Sequence, residues 1–175
     1  MKPLFIQKEL DITLTRLAYQ LVENHLNFEN TVIIGLQPRG IFLSDRIHQK
    51  VQSFLPHTKI EYGKLDITFY RDDFNEKGQL LQVSETQLDF NIEGKHVILV
   101  DDVLYTGRSI RSGLDALLDY GRPAHVELLV LIDRRFNREV PIQPDYVGMV
   151  VDVINNQKVK VLWKELDGKD EVILL

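Results

Sequence analysis

Not one of the 175 residues is a cysteine. Disulfides, cysteine-ligated zinc and thiol nucleophiles are therefore excluded. Long apolar runs are missing too. The strongest, Val97–Val100 and Leu128–Ile132, fall far short of the roughly 20 residues that span a bilayer. The opening Met1–Phe5 has one basic residue and reaches Lys8 and Glu9 before an apolar core can form. No signal peptide is visible, and the expectation is a cytoplasmic protein without membrane attachment. The histidines at 25, 48, 57, 96 and 125 show no metal-ligand spacing. HExxH, GxGxxG, P-loop and GxSxG patterns are all absent, which leaves zinc-protease, dinucleotide, NTPase and serine-hydrolase readings without support. A basic surplus is also lacking, since 21 Lys and Arg against 26 Asp and Glu give a net charge of −5. Proteins that grip nucleic acid through its phosphates usually carry the opposite sign.

What is present is globular in character, with 44% hydrophobic and 27% charged residues. Residues 1–175 have the size of one domain, and no repeat or Gly/Ser/Pro-rich linker divides them. Leu10, Leu14, Leu17, Ala18, Leu21, Val22 and His25 recur at helical spacing and predict a helix over about 9–26. Val32–Leu36 reads as a buried strand that turns at Gln37–Gly40 into a helix from about 41 to 54. Residues 59–70 carry β-formers and predict a strand. Residues 71–92 are polar and weakly periodic, the mark of a lid or binding loop. A strand over His96–Val100, a turn after Asp101 and Asp102, a helix bearing Ile110, Leu114, Leu117 and Leu118, and a strand over Val126–Ile132 follow. Lys158–Trp163 and Glu171–Leu174 flank Asp167–Gly168, a hairpin signal. Alternating strands and helices predict an α/β fold with a central parallel sheet flanked by helices. Ligands in such sheets bind beyond the carboxyl ends of the strands. Gln37–Gly40, Asp101–Ser109 and Asp133–Arg138 all fall there.

The chemistry concentrates in Val97–Ser109. Four apolar residues deliver two adjacent carboxylates to a strand end, and Thr106, Gly107 and Ser109 stand where a helix begins. Small and hydroxylated residues let backbone N–H groups approach a phosphate, and the helix dipole adds about half a positive charge. Asp101 and Asp102 are acceptors suited to a diol or to Mg²⁺. Phosphorylated ribose fits both halves.

These thirteen residues resemble the binding motif for phosphoribosyl pyrophosphate (PRPP) of type I phosphoribosyltransferases. Leu65–Asp73, Leu114–Leu117, Gly121–Pro123, Leu131–Arg134 and Pro141–Gly148 are similar to the pyrimidine-operon attenuator/uracil phosphoribosyltransferase branch of that family. The resemblance implies a type I phosphoribosyltransferase fold, with a flexible hood at about 71–92 and a C-terminal β-hairpin. It implies that Asp101 and Asp102 hold the ribose 2′- and 3′-hydroxyls, directly or through Mg²⁺. Tyr105, Thr106, Gly107, Arg108 and Ser109 would surround the 5′-phosphate. Arg39 and Gly40 would serve the pyrophosphate, with Arg71 reaching it from the hood, and Arg134 would face the base. Arg39 and Mg²⁺ would stabilise the leaving pyrophosphate while the hood excludes water and a uracil nitrogen attacks C1′. The implied reaction is uracil plus PRPP to UMP plus pyrophosphate. Relatives form dimers and larger assemblies, so a homo-oligomer is expected.

Two departures stand out. Pro38 replaces the threonine usual in the pyrophosphate loop and removes an N–H donor. On the face that RNA-binding relatives use, Thr15, Arg16 and Arg138 match, but Tyr19, Gln143 and Met149 replace histidine, arginine and lysine. Weak or absent RNA binding is the expectation, because each lost phosphate contact lowers affinity. Two alternatives stay open: a UMP- or PRPP-sensing, RNA-binding regulator of pyrimidine genes with weak transferase activity, and a transferase acting on a purine.

Overall fold

The structure, a computed structural model, describes residues 2–72, 83–152 and 157–175. Five parallel strands, β2 (Thr31–Leu36), β3 (Glu61–Leu65), β4 (His96–Leu104), β5 (His125–Arg135) and β6 (Tyr146–Asp152), form the main sheet in the order β3-β2-β4-β5-β6. Helices α1 (Gln7–His25) and α2 (Gly40–Phe54) cover one face, and α3 (Arg108–Leu117) covers the other. An antiparallel unit of β1 (Lys2–Phe5), β8 (Glu171–Leu174) and β7 (Val159–Leu162) stands beside it. A one-turn helix, α4 (Lys164–Asp167), links β7 to β8.

The two-layer wrapping follows from the strand period of two. Ile33, Ile98, Val100, Leu129 and Leu131 point to one side, where Leu14, Leu17, Leu21, Leu43 and Ile47 meet them. Val32, Ile34, Val97, Leu99, Leu128 and Val130 point to the other and meet Ile110, Ala116 and Leu117. Val161, Trp163 and Val172 of the antiparallel unit join the α1/α2 core. At the start of α1, the Glu9 carboxylate accepts the Ile6 N–H at 3.0 Å and satisfies one orphan donor of the helix.

The expected helices and the strands at 32–36 and 126–132 are present within a few residues. Three expectations are corrected. The strand expected over 59–70 ends at Leu65. The Asp66 carboxylate accepts the Thr68 hydroxyl at 2.7 Å and the Thr68 N–H at 3.3 Å, which turns the chain into a single 3-10 turn over Thr68–Tyr70. β4 continues to Leu104, so Asp101 and Asp102 lie within the strand, not after it. The hairpin closes through α4, not through a tight turn at Asp167–Gly168. Strands β1 and β6 carried no sequence expectation.

Of the expected hood, residues 73–82 lie outside the described residues. Its return limb is anchored. Lys64 and Gln87 exchange backbone hydrogen bonds of 2.9 and 2.8 Å, the Asp66 N–H donates to the Thr86 hydroxyl, and the Gln37 amide donates to the Glu85 carbonyl at 2.8 Å.

Candidate active site

Because β4 is extended through both acids, the adjacent carboxylates leave the strand on opposite sides. Asp101 lines a cleft of about 380 Å³ with Arg71, Tyr105, Thr106, Gly107 and Ser109. Asp102 turns towards α2 and the antiparallel unit, where the Arg39 guanidinium lies 3.5 Å away. The Asp101 carboxylate also accepts the Asp102 N–H at 2.9 Å. Burial, and then the charge of Asp102, hold the Asp101 carboxyl well above the usual carboxylate range. Burial raises Asp102 too, while Arg39, the Val103 amide and the Trp163 side chain oppose it. A pair of acids frustrated in this way is common at functional sites, where a cation or a hydroxyl-bearing ligand relieves it.

The cleft's far wall is the turn from β4 into α3. Gly107 has φ +91, a left-handed conformation that a side chain would strain, and its backbone lies against Val140. The Thr106 hydroxyl accepts the Arg108 N–H at 3.3 Å, and the Thr106 carbonyl accepts the amides of Glu139 and Val140. The first-turn amides of α3 have no helical carbonyl to bond, and they border a cleft suited to a phosphate.

Gly40 begins α2 directly behind the acids. A Cβ there would sit 2.7 Å from the Val100 carbonyl oxygen and 3.1 Å from the Asp101 Cα, so only glycine allows this approach. The preceding Gln37–Pro38 peptide is cis. Arg39 is held by three acceptors: the Val161 carbonyl at 2.5 Å, Asp167 at 3.5 Å and Asp102.

The remaining expected residues separate. Arg71 borders the cleft and its charge favours ionised Asp101. The Arg108 side chain leaves the turn before α3 to pair with Asp72 and with Glu139, the latter at 2.5 Å. Arg134 is buried, with its guanidinium 3.9 Å above the Tyr105 ring and one N–H donating to the Gln157 carbonyl at 2.9 Å. Its Nε has no partner among the described residues. Arg138 donates to the Tyr105 carbonyl and to Asp133, which places it beside the turn from β4 into α3. Thr15 and Arg16 lie on α1, away from the cleft. The Thr15 hydroxyl bonds Asp11 and Lys50, while Arg16 donates to the carbonyls of Val147 and Gly148 at 3.2 and 2.7 Å. Tyr19 stacks on Phe54, with ring centres 4.1 Å apart.

Sequence reading missed Glu139, Trp163 and Asp167. No local pattern marks them, since each reaches the site through a partner distant in sequence.

Residues 4–163 match the family model described as the phosphoribosyl transferase domain. The chain is 46% identical over 172 residues to the bifunctional protein PyrR of Desulfosudis oleivorans, covering 98% of this chain and 94% of that one. Identity to the bifunctional protein PyrR of Deinococcus radiodurans is also 46%, over 95% of this chain and 90% of the relative. Among solved structures, the hypoxanthine phosphoribosyltransferase of Trypanosoma cruzi superposes with a TM-score of 0.74 over 100% of this chain and 96% of its own, at 18% identity. That likeness establishes the fold alone. With acids, anion turn and sheet in this arrangement and near-full-length identity to those relatives, the chain belongs to the phosphoribosyltransferase family, in its group of bifunctional PyrR proteins.

Proposed function

We propose that this phosphoribosyltransferase transfers the phosphoribosyl group of PRPP to uracil, giving UMP and pyrophosphate, and that it works as one domain. The observation that carries the reading is the shared cleft, in which Asp101 faces the phosphate-ready turn over Thr106–Ser109. An acceptor for ribose hydroxyls thereby stands across from donors for the 5′-phosphate. Arg39 and Arg71, one on each side of the acids, supply positive charge for the departing pyrophosphate. As the bond from C1′ to pyrophosphate stretches, positive charge develops on the ribose and negative charge on the leaving oxygens. Asp101 faces the first and Arg71 the second, with the Arg39–Asp102 pair behind them.

Members of this family generally use Mg²⁺ with PRPP. The donor set here fits that ion: two adjacent carboxylates in the last residues of β4, with further oxygens left for substrate phosphates. No group of three or more His, Asp or Glu able to hold a metal occurs among the described residues. We therefore assign Asp101 and Asp102 to holding the ion with its substrate, directly or through the ribose hydroxyls. When bound, the ion supplies charge neutralisation for the pyrophosphate.

Following UMP formation with PRPP and a panel of bases tests the proposal. Turnover with uracil supports it; turnover only with hypoxanthine or guanine overturns the base assignment. The bifunctional relatives favour a second reading, a regulator of pyrimidine genes that binds RNA. Against tight RNA binding by this chain stand Tyr19, Gln143 and Met149, together with the internal engagements of Arg16 and Arg138. A filter-binding titration with the leader of its own pyrimidine operon decides the matter, and tight, UMP-stimulated binding overturns our reading. Homo-oligomer assembly and residence in the cytoplasm complete the proposal. No helix among the described residues is long and apolar enough to cross a membrane.

A further inference from the structure

β4 leaves the sheet at a defined point. Its ladder to β5 pairs Val103 with Ile132 and Leu104 with Asp133, and Tyr105 is the first residue beyond it. β5 runs on to Arg135, so Arg134 stands where the next partner of the ladder would be. Two arginines take over there. Arg138 donates to the Tyr105 carbonyl at 2.5 Å, and the Arg134 guanidinium lies 3.9 Å over the Tyr105 ring. One holds the backbone of this residue and the other its side chain. Arg134 is itself fixed, because it pairs with Val151 of β6.

Arg134 has little else to bind. Only 8% of its surface is exposed, and its one hydrogen bond among the described residues runs from Nη2 to the Gln157 carbonyl at 2.9 Å. No carboxylate among those residues pairs with it, and the adjacent Asp133 is engaged by Arg138. A buried cation without a counter-ion is costly, and the negative face of an aromatic ring is the next best partner. Removed from water, such a contact is worth more than the same stack on the surface. Tyr105 borders the cleft together with Asp101 and Thr106, whereas Arg134 is not among the described residues that border it. The guanidinium therefore meets the ring and not the cleft.

We propose that Arg134 is a positioning residue for PRPP, acting through Tyr105 and not on the base. The inference rests on the transferase reading above. Its stack on Tyr105, with the Arg138 bond to the carbonyl, replaces the ladder contacts that β4 gives up on leaving the sheet. Residues Thr106–Ser109, which follow directly, thereby keep one course into α3. Methionine at 134 keeps a long stem but neither the charge nor the flat face. Leucine at 105 removes the ring from the same contact.

Steady-state kinetics on the full chain test this, with each substrate varied in turn. We expect Arg134→Met to raise KM for PRPP about tenfold and to leave KM for uracil within about twofold. Tyr105→Leu should raise KM for PRPP as well. In that background Arg134→Met should add less than about twofold, because the two residues act through one contact. An unchanged KM for PRPP in R134M, a rise confined to KM for uracil, or full additivity in the double variant overturns the inference. Each of these leaves the transferase reading intact. Absence of turnover by the unaltered protein with PRPP and any base sinks that reading instead. Should R134M not fold, Arg134→Lys replaces it. The lysine ammonium cannot lie flat on the ring, so KM for PRPP should still rise, though by less, and only where Tyr105 is present. An unchanged KM for PRPP in R134K then overturns the inference.

Discussion

Arg138 and Asp133, five residues apart on either side of the bend after β5, form an ion pair that also reaches the Tyr105 carbonyl. The guanidinium therefore ties the carboxyl end of β5 to the turn that precedes α3. Its aliphatic stem runs beside Gly107, where a Cβ would lie 3.6 Å from the Arg138 Cδ. An arginine first read as a candidate RNA contact braces the turn between β4 and α3.

Replacing Arg138 with methionine keeps the stem and removes both charge-assisted bonds. With the turn less fixed, KM for PRPP is expected to rise about tenfold and kcat to fall less, since the lost interaction orders the ground-state site. Steady-state kinetics at saturating uracil provide the check. An unchanged KM would show that the turn holds its shape without the brace.

Asp101 is costly to the unliganded fold. Its carboxyl is held well above the ordinary range by burial and by the charge of Asp102, so folding favours its protonated form. The stability it contributes is present at acid pH and is lost as pH rises through the folded pKa. Asp101→Asn removes the charge, and is expected to raise the melting temperature at neutral pH while lowering transfer on the order of 10²–10³-fold. The stability gain should vanish near pH 4, about where an unfolded carboxyl protonates. Paired thermal melts at the two pH values test the sign, and equal stability of both proteins at neutral pH would refute it.

Asp170 behaves in the opposite way. Partial burial pushes its carboxyl up, but the Arg46 hydrogen bond, the Lys164 amide and their charges more than offset this and leave it below the ordinary value. Stability from this group is present above the unfolded carboxylate pKa, and is lost as pH falls through the lower, folded one. Acidification below about pH 4 should therefore loosen the clamp on Arg46 and alter Trp163 emission. In Asp170→Asn that acid transition should shrink. An acid response of identical size in D170N would remove Asp170 from the explanation.

Much of the scaffold is legible in local patterns. Leu10, Leu14, Leu17 and Leu21 disclose α1, and the apolar runs at Val32–Leu36 and Val97–Val100 disclose the central strands, because burial on both faces leaves a continuous signal. β6 escaped because Gly148 and Met149 interrupt a short run whose flanking segment contains Pro141 and Pro144. β1 has four residues, and its pairing depends on Val172–Leu174 at the other end of the chain. The length of β4 was hidden by its own composition, since two acids read as a strand end even while the ladder to β5 continues past them. In the site, Thr106, Gly107 and Ser109 were legible as a helix start, whereas the partners of Arg39 and Arg138 were not. A guanidinium's destination is set by tertiary contacts that no spacing records.

Arg16 carries one more implication. β6 is the last strand of the main sheet, and such a rim ordinarily offers unpaired carbonyls to any extended segment that comes by. By donating to Val147 and Gly148, Arg16 stoppers that rim from within the same molecule. An extended segment of another copy would then find this rim of the sheet already taken at its midpoint.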